Sequence, residues 1–330
     1  MIRILVTILF AAVVAACSNG AASNAGRSGV DSRERGKGAS AQRDAAAGSD
    51  GLSASNGFSA SYSAADYLEV EKLLGSGDYR SALDYARYFL GRPYVAYTLE
   101  GAYREGGDGV EKLVVNLREF DCLTLLETCN ALALAKAELE AGAQSRPWAI
   151  YCRNLASLRY FGGQIDGYAS RLHYLSMSID DHLKRGDMLE VQLPAELTQS
   201  RKTNIHYMSR HPQYYSALKG NAALQKQIAQ LEAQHSGGSF RFLPQDKCGL
   251  SRQRLSSIHD GDILYIVTDK DGLDYAHQGF AFWGQDGKLH MLHASSAKHK
   301  VIADPLTLEA YLRGIPSSIG IRVFRLSGLR

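Results

Sequence analysis

The sequence predicts an α+β domain in which a cysteine-bearing helix packs on an antiparallel β-sheet, with extra helices around that core. Three observations predict it. The stretch from Phe120 to Leu132 carries a helix start: Asp121 suits the N-cap, Thr124 falls at N3, and Phe120 before the cap can pack on Leu125. Toward the C-terminus, Gly261 to Val267, Ala276 to Trp283 and Lys288 to His293 read as strands, the last two joined by the hairpin signal Gly284-Gln285-Asp286-Gly287. Apolar residues recur at helical intervals from Tyr67 to Leu90, broken at Gly75-Ser76-Gly77-Asp78, and again from Pro147 to Phe161. Helices followed by adjacent strands are the pattern of an α+β fold.

The chain of 330 residues opens Met1-Ile2-Arg3 and runs apolar from Ile4 to Ala16, a charged start and a short apolar stretch that read as an export signal over residues 1–16. Val14-Ala15-Ala16-Cys17 then resembles a bacterial lipoprotein signal, in which the cysteine is acylated and becomes the new N-terminus. From Ser18 to about Ala60 the composition is Ser, Gly, Ala and scattered charge, too poor in apolar surface to offset the entropy of ordering, so residues 17–60 read as a lipid-bearing flexible linker. Residues 61–330 then read as one domain, since no second linker interrupts them. The expectation is an exported, membrane-anchored lipoprotein of the cell envelope.

A net charge of +3 with dispersed Lys and Arg does not suggest nucleic acid. With Cys17 assigned to lipid, four cysteines remain. Cys122 and Cys129 lie two helical turns apart, about 10 Å along the axis, too far for a disulfide, so any bridge joins Cys152 to Cys248. No histidine pair has the helical spacing of a zinc site, so neither metal nor cofactor is expected.

Taken in order, Gly91-Arg92-Pro93-Tyr94 is a turn, Leu113 to Leu117 a strand delivering the chain to Phe120, and Cys122 to Leu139 the central helix. Gly162-Gly163 stop the next helix. Arg171 and His173 share one side of an extended segment, suited to holding an anion or equally to a surface loop. Ile205 to Leu218 and Asn221 to Gln234 read as peripheral helices. In Ala276 to Trp283, His277, Gly279 and Ala281 share one face, leaving room for a helix to approach. His277 and His293 face each other directly if the hairpin loop is centred on Gln285, and a one-residue slip turns His293 away.

Cys122 at the first helical position has orphan backbone N–H groups and the positive helix end around its sulfur, which favours thiolate. Taken alone, a cysteine on the stripe Cys122, Leu125, Leu126, Cys129 and Ala133 is more often a buried core thiol. A histidine on one strand and a polar residue on the next convert it into a candidate nucleophile with a base and an orienting group.

Phe120-Asp121-Cys122, Ala276-His277-Gln278-Gly279-Phe280 and Leu292-His293-Ala294-Ser295 resemble the catalytic blocks of the NlpC-type, papain-like cysteine peptidases of bacterial cell walls, and Gly91-Arg92-Pro93-Tyr94 resembles their proline–tyrosine block. Tyr97-Thr98-Leu99-Glu100, Asp121-Cys122-Leu123-Thr124 with Glu127, Arg171-Leu172-His173-Tyr174, Met208-Ser209 and Leu273-Asp274-Tyr275-Ala276-His277 are similar to the branch named N-acetylmuramoyl-L-alanine amidase-like. Leu123, where the superfamily usually has serine, fits that branch. The resemblance implies a papain-like core with Cys122 as nucleophile, His277 as base and His293 as orienting residue. Tyr94, Glu100, Arg171, His173 and Ser295 become candidates for binding. The implied substrates are peptidoglycan fragments, cut between N-acetylmuramic acid and L-alanine in small 1,6-anhydro muropeptides. Cleavage between D-glutamate and the diamino acid, or non-catalytic muropeptide binding, are the alternatives.

Overall fold

The computed structural model describes residues 59–328; the expected export signal, the expected acylation at Cys17 and nearly all of the expected linker fall outside the described residues. The helices are α1 (Ala64–Gly75), α2 (Ala82–Tyr88), α3 (Cys122–Glu140), α4 (Pro147–Arg159), α5 (Leu175–Arg185), α6 (Tyr207–Arg210), α7 (Ala222–Gln234) and α8 (Leu308–Arg313). The strands are β1 (Ala60–Ser61), β2 (Leu113–Val114), β3 (Met188–Glu190), β4 (Gln199–Lys202), β5 (Ser239–Pro244), β6 (Ile263–Thr268), β7 (Tyr275–Trp283), β8 (Leu289–Ser295), β9 (Lys300–Ala303) and β10 (Ser318–Leu326). Eight of them form one antiparallel sheet in the order β4-β5-β10-β6-β7-β8-β9, with β3 also pairing with β10. The fold is thus mixed helix and antiparallel sheet, as expected.

Alternation along the strands divides the core. Ile263, Tyr265, Phe280 and Leu292 join the α1–α4 side chains on one face. Leu264, Ile266, Ala281 and Met291 join Leu308 and Leu312 of α8 on the other. A third cluster, with Tyr168, Tyr174, Met208, Tyr215 and Leu273, fills the flank formed by α5–α7. Helix α3 is buried on most sides, which is why apolar residues surround it rather than forming a single stripe. Capping boxes start α1 (Ser63, Asp66), α2 (Ser81, Asp84) and α3 (Asp121, Thr124).

Several expectations are corrected. The strand read over Leu113 to Leu117 pairs only at Leu113–Val114, because its parallel partner β1 turns into α1, whose Asp66 carboxylate accepts the Leu117 N–H at 2.9 Å. The helix read over Ile205 to Leu218 shrinks to one turn, since Pro212 drives His211 out of helical geometry. Cys152 and Cys248 are both free and buried on opposite faces of the sheet. The face shared by His277, Gly279 and Ala281 is covered by α8, but immediately over Gly279 the space is taken by Met291, whose Cγ would lie 2.5 Å from a Cβ there.

The β7–β8 hairpin is centred on Asp286, not Gln285: Gly284 N–H bonds the Lys288 carbonyl at 2.9 Å, and the register runs Trp283–Leu289 to Phe280–Leu292. Gly287, at φ 69°, supplies the left-handed residue that closes this three-residue loop. His277 and His293 are therefore offset by two residues rather than directly opposed. The loop is still odd, so both remain on one face.

Gly320 lets β10 pass close to β5: a Cβ there would sit 2.1 Å from the Leu243 carbonyl oxygen. Gly320→Ala is therefore expected to destabilise the domain by about 1–3 kcal/mol. A melting curve checks this, with a fall of roughly 2–4 °C per kcal/mol for a domain of this size; an unchanged melting temperature would refute the close-approach argument.

Candidate active site

The start of α3 is fixed before any tertiary contact. Asp121 Oδ1 accepts the Thr124 N–H at 2.8 Å, and Thr124 Oγ1 accepts the Asp121 N–H at 3.0 Å. Segment 91–95 then holds that start against the sheet. Gly91 N–H reaches the Val301 carbonyl, Val301 N–H the Arg92 carbonyl and Tyr94 N–H the His299 carbonyl, while Phe120 N–H meets the Pro93 carbonyl and Val95 N–H the Phe120 carbonyl. Tyr94 comes to lie beside the Cys122 thiol, its phenol pushed up by burial and by Cys122 and Asp121.

Strand β7 prepares a place for the sulfur. Ala281 exchanges its backbone bonds with Gly261 and Asp262, so odd residues of β7 face β6 and Gln278 directs its N–H toward β8. Yet the β7–β8 ladder stops at Phe280–Leu292. The Gln278 N–H lies instead beside the Cys122 thiol, where it favours ionisation together with the N–H groups of Cys122 and Leu123. One step before His277, the β6–β7 register slips, leaving Ala276 as an extra residue. That irregularity puts Tyr275 on the α1–α4 face although His277, two residues on, points to the α8 face.

His277 and His293 meet there. His277 Nε2 is 2.6 Å from His293 Nδ1, and His293 Nε2 is 3.2 Å from Asp304 Oδ2. The thiol residue is 2% exposed and the two histidines 6% and 1%. Tyr311 of α8 packs on both rings, with centroids 6.3 and 5.2 Å away, and also lies near Cys122.

Burial sets the resting protonation. It pushes the Cys122 thiol up, Asp121 adds to the effect, and the backbone N–H groups only partly offset it. The expectation of a resting thiolate is thereby corrected: the helix end favours ionisation, but desolvation outweighs it. Burial, with His293 alongside, holds His277 well below the usual histidine range. His293 is lowered by burial and partly restored by Asp304. The Cys122 thiol and the His277 imidazole are thus each biased toward the neutral form.

The structure places the binding candidates differently from one another. Arg171 is buried, and its fork grips the protein's own anions: Nε and Nη2 reach Glu111, Nη1 reaches Glu100 Oε1 at 2.5 Å, and Nη2 also reaches the Leu99 carbonyl. Tyr103 and Tyr160 donate to the same Glu111 carboxylate. Glu100 is half-buried, and its Oε2 has no hydrogen-bond partner. His173 donates from Nε2 to the Tyr168 carbonyl, and Ser295 Oγ accepts the Lys298 N–H in the β8–β9 turn. Asp304 and Tyr311 escaped the sequence reading: Asp304-Pro305 looks like an ordinary turn, and Tyr311 like one core position of a short helix. Among the described residues, no group of three or more His, Cys, Asp or Glu side chains converges as metal ligands would.

Burial and the Arg171 cation lower His173 from 6.5 to about 3. The unfolded chain therefore binds one more proton than the folded chain between those values, and stability falls as pH drops through that window. His173→Gln, which retains a donor for the Tyr168 carbonyl, should flatten the dependence. Melting temperatures between pH 7 and 4 check this; parallel slopes for variant and wild type would contradict it.

A family model described as AmiA-like, N-acetylmuramoyl-L-alanine amidase-like, matches residues 84–321. Among solved structures, an N-acetylmuramoyl-L-alanine amidase from Bacteroides uniformis is 35% identical over 78% of this chain and 99% of its own, with a TM-score of 0.66. A Bacteroides fragilis protein carrying a provisional xylanase name is 36% identical over 74% of this chain and 100% of its own, with a TM-score of 0.65. A Legionella pneumophila protein at 20% identity, covering 78% of this chain and 93% of its own with a TM-score of 0.58, shares the fold. No curated protein matches. With most of its length matched by the family model and more than a third of its aligned residues shared with solved relatives, the chain belongs to the N-acetylmuramoyl-L-alanine amidase-like family.

Proposed function

We propose that this chain is a papain-like cysteine amidase that hydrolyses the bond between N-acetylmuramic acid and L-alanine in small 1,6-anhydro muropeptides. The observation that carries the reading is the buried chain His277–His293–Asp304, two linked imidazoles and a carboxylate, beginning on the strand whose next residue, Gln278, directs its N–H to the Cys122 thiol. The Cys122 sulfur attacks the lactyl carbonyl while His277 takes the thiol proton through Nδ1, the ring nitrogen not bonded to His293. Backbone N–H groups at the start of α3 stabilise the tetrahedral oxygen. Collapse expels the L-alanine amine, which receives the proton from His277, and leaves a thioester. Water, deprotonated by His277, then releases the muramic acid carboxylate and restores the thiol.

The family's name and the Bacteroides uniformis relative support the amide assignment. A glycoside hydrolase, the reading the xylanase name would suggest, needs two carboxylates facing each other across the scissile bond. Asp304 is instead bonded to His293. Cys122→Ala should lower kcat on a purified anhydro-disaccharide tetrapeptide at least about a thousandfold. Mass spectrometry should find intact tetrapeptide with a free L-alanine amine. Release of a sugar still bearing L-alanyl-D-glutamate would reassign the chain as an endopeptidase; wild-type binding without turnover would make it a muropeptide-binding protein.

The proposed setting is the cell envelope, with the domain held to a membrane by acylated Cys17 and a linker ending near Ala60. A fatty-acid probe should label wild type but not Cys17→Ala. An unlabelled wild type with a free N-terminal residue would contradict the anchor.

A further inference from the structure

We propose that Asp304 is a positioning residue that dictates, through His293, which nitrogen of His277 is left bare to act as the base. The carboxylate is itself held in place. Its Oδ1 accepts the Leu306 N–H at 2.9 Å, its backbone N–H donates to the Met291 carbonyl at 2.9 Å, and its carbonyl faces His290 Nδ1 at 3.3 Å. Burial works to raise Asp304, but the His293 and Leu306 bonds and the nearby Lys298 leave it below the usual carboxylate range.

An ionised carboxylate can only accept, so the ring nitrogen facing it, His293 Nε2, carries hydrogen. In a neutral ring the other nitrogen is then a bare acceptor. His293 Nδ1 lies 2.6 Å from His277 Nε2, which must therefore be the donor of that bond. The single hydrogen of neutral His277 being on Nε2, Nδ1 keeps its lone pair and can take a proton from the nucleophile. Removing the carboxylate frees the opposite arrangement: hydrogen on His293 Nδ1, His277 Nε2 accepting, and hydrogen on His277 Nδ1. That pattern preserves the bond between the rings and abolishes the base. Both histidines are buried against Tyr311, so bulk water cannot choose the tautomer in place of Asp304.

The consequence for turnover rests on the reading of Cys122 as nucleophile; the tautomer assignment does not. Asp304→Ala, Asp304→Asn and Asp304→Glu are compared in the full chain by ¹⁵N spectra of the histidine rings and by kcat and KM on the anhydro-disaccharide tetrapeptide. In wild type both rings should carry hydrogen on Nε2. Asp304→Ala should move hydrogen to Nδ1 of both rings and lower kcat on the order of a hundredfold or more, with KM little changed. Asp304→Glu should restore both readouts in part. Hydrogen on His277 Nδ1 in wild type, wild-type tautomers in Asp304→Ala, or an undiminished kcat in that variant would overturn the proposal. Should Asp304→Ala not fold, Asp304→Asn is read instead: with the Leu306 N–H holding its carbonyl oxygen, its NH2 faces His293 Nε2 and should likewise move hydrogen to Nδ1 of both rings. An enzyme inactive on this substrate even as wild type would count against the proposed function, and the spectra would still decide the role of Asp304.

Discussion

Where the β7–β8 ladder ends at Phe280–Leu292, the two strands part, and the first turn of α3 occupies the mouth between them. A backbone N–H buried in a sheet must find an acceptor. At Gln278 that direction, which the ladder would normally fill, is given over to the thiol. The arrangement depends on three other features: the bulge at Ala276 that aims His277, the clasp of residues 91–95 between β9 and Phe120, and the capping box that sets the rotation of α3. Each is ordinary alone. Together they set the start of a helix from one face of the sheet at Gln278, next in sequence to a histidine that points to the other face.

The same enclosure explains the electrostatics. A thiolate and an imidazolium in this site would both lose hydration, and the neutral forms avoid that cost until, in the proposed mechanism, substrate supplies a carbonyl to attack. For the charge that this mechanism would develop, the low dielectric would make the helix-start N–H groups and Asp304 more effective than they would be in water. The buried unit of Arg171, Glu100 and Glu111 follows related logic with a different result: the Arg171 cation is met by carboxylates of the protein itself, at the flank formed by α5–α7.

Features encoded locally were legible. The cap of α3 is written in Asp121 and Thr124, and the shared face of His277, Gly279 and Ala281 follows from strand alternation. Features set by a partner were not. The hairpin's parity was readable but its centre was not, because Gly284, Asp286 and Gly287 permit more than one closure. Leu117 looked like a strand residue because nothing nearby announces that Asp66 takes its N–H. Arg171 looked suited to an external anion because its partner Glu111 lies sixty positions away in sequence. Asp304 could be recognised only after β9 brought it alongside β8.

The burial of Cys122 also bears on the durability of the protein. Peroxide and other small oxidants attack thiolates far faster than thiols and need access to the sulfur. A neutral thiol on a residue only 2% exposed offers them little of either. Cys129, Cys152 and Cys248 are equally enclosed and are pushed up by burial in the same way. All four described thiols are thus shielded from sulfenic acid formation and from chance disulfide exchange, without any bridge of their own to keep them occupied.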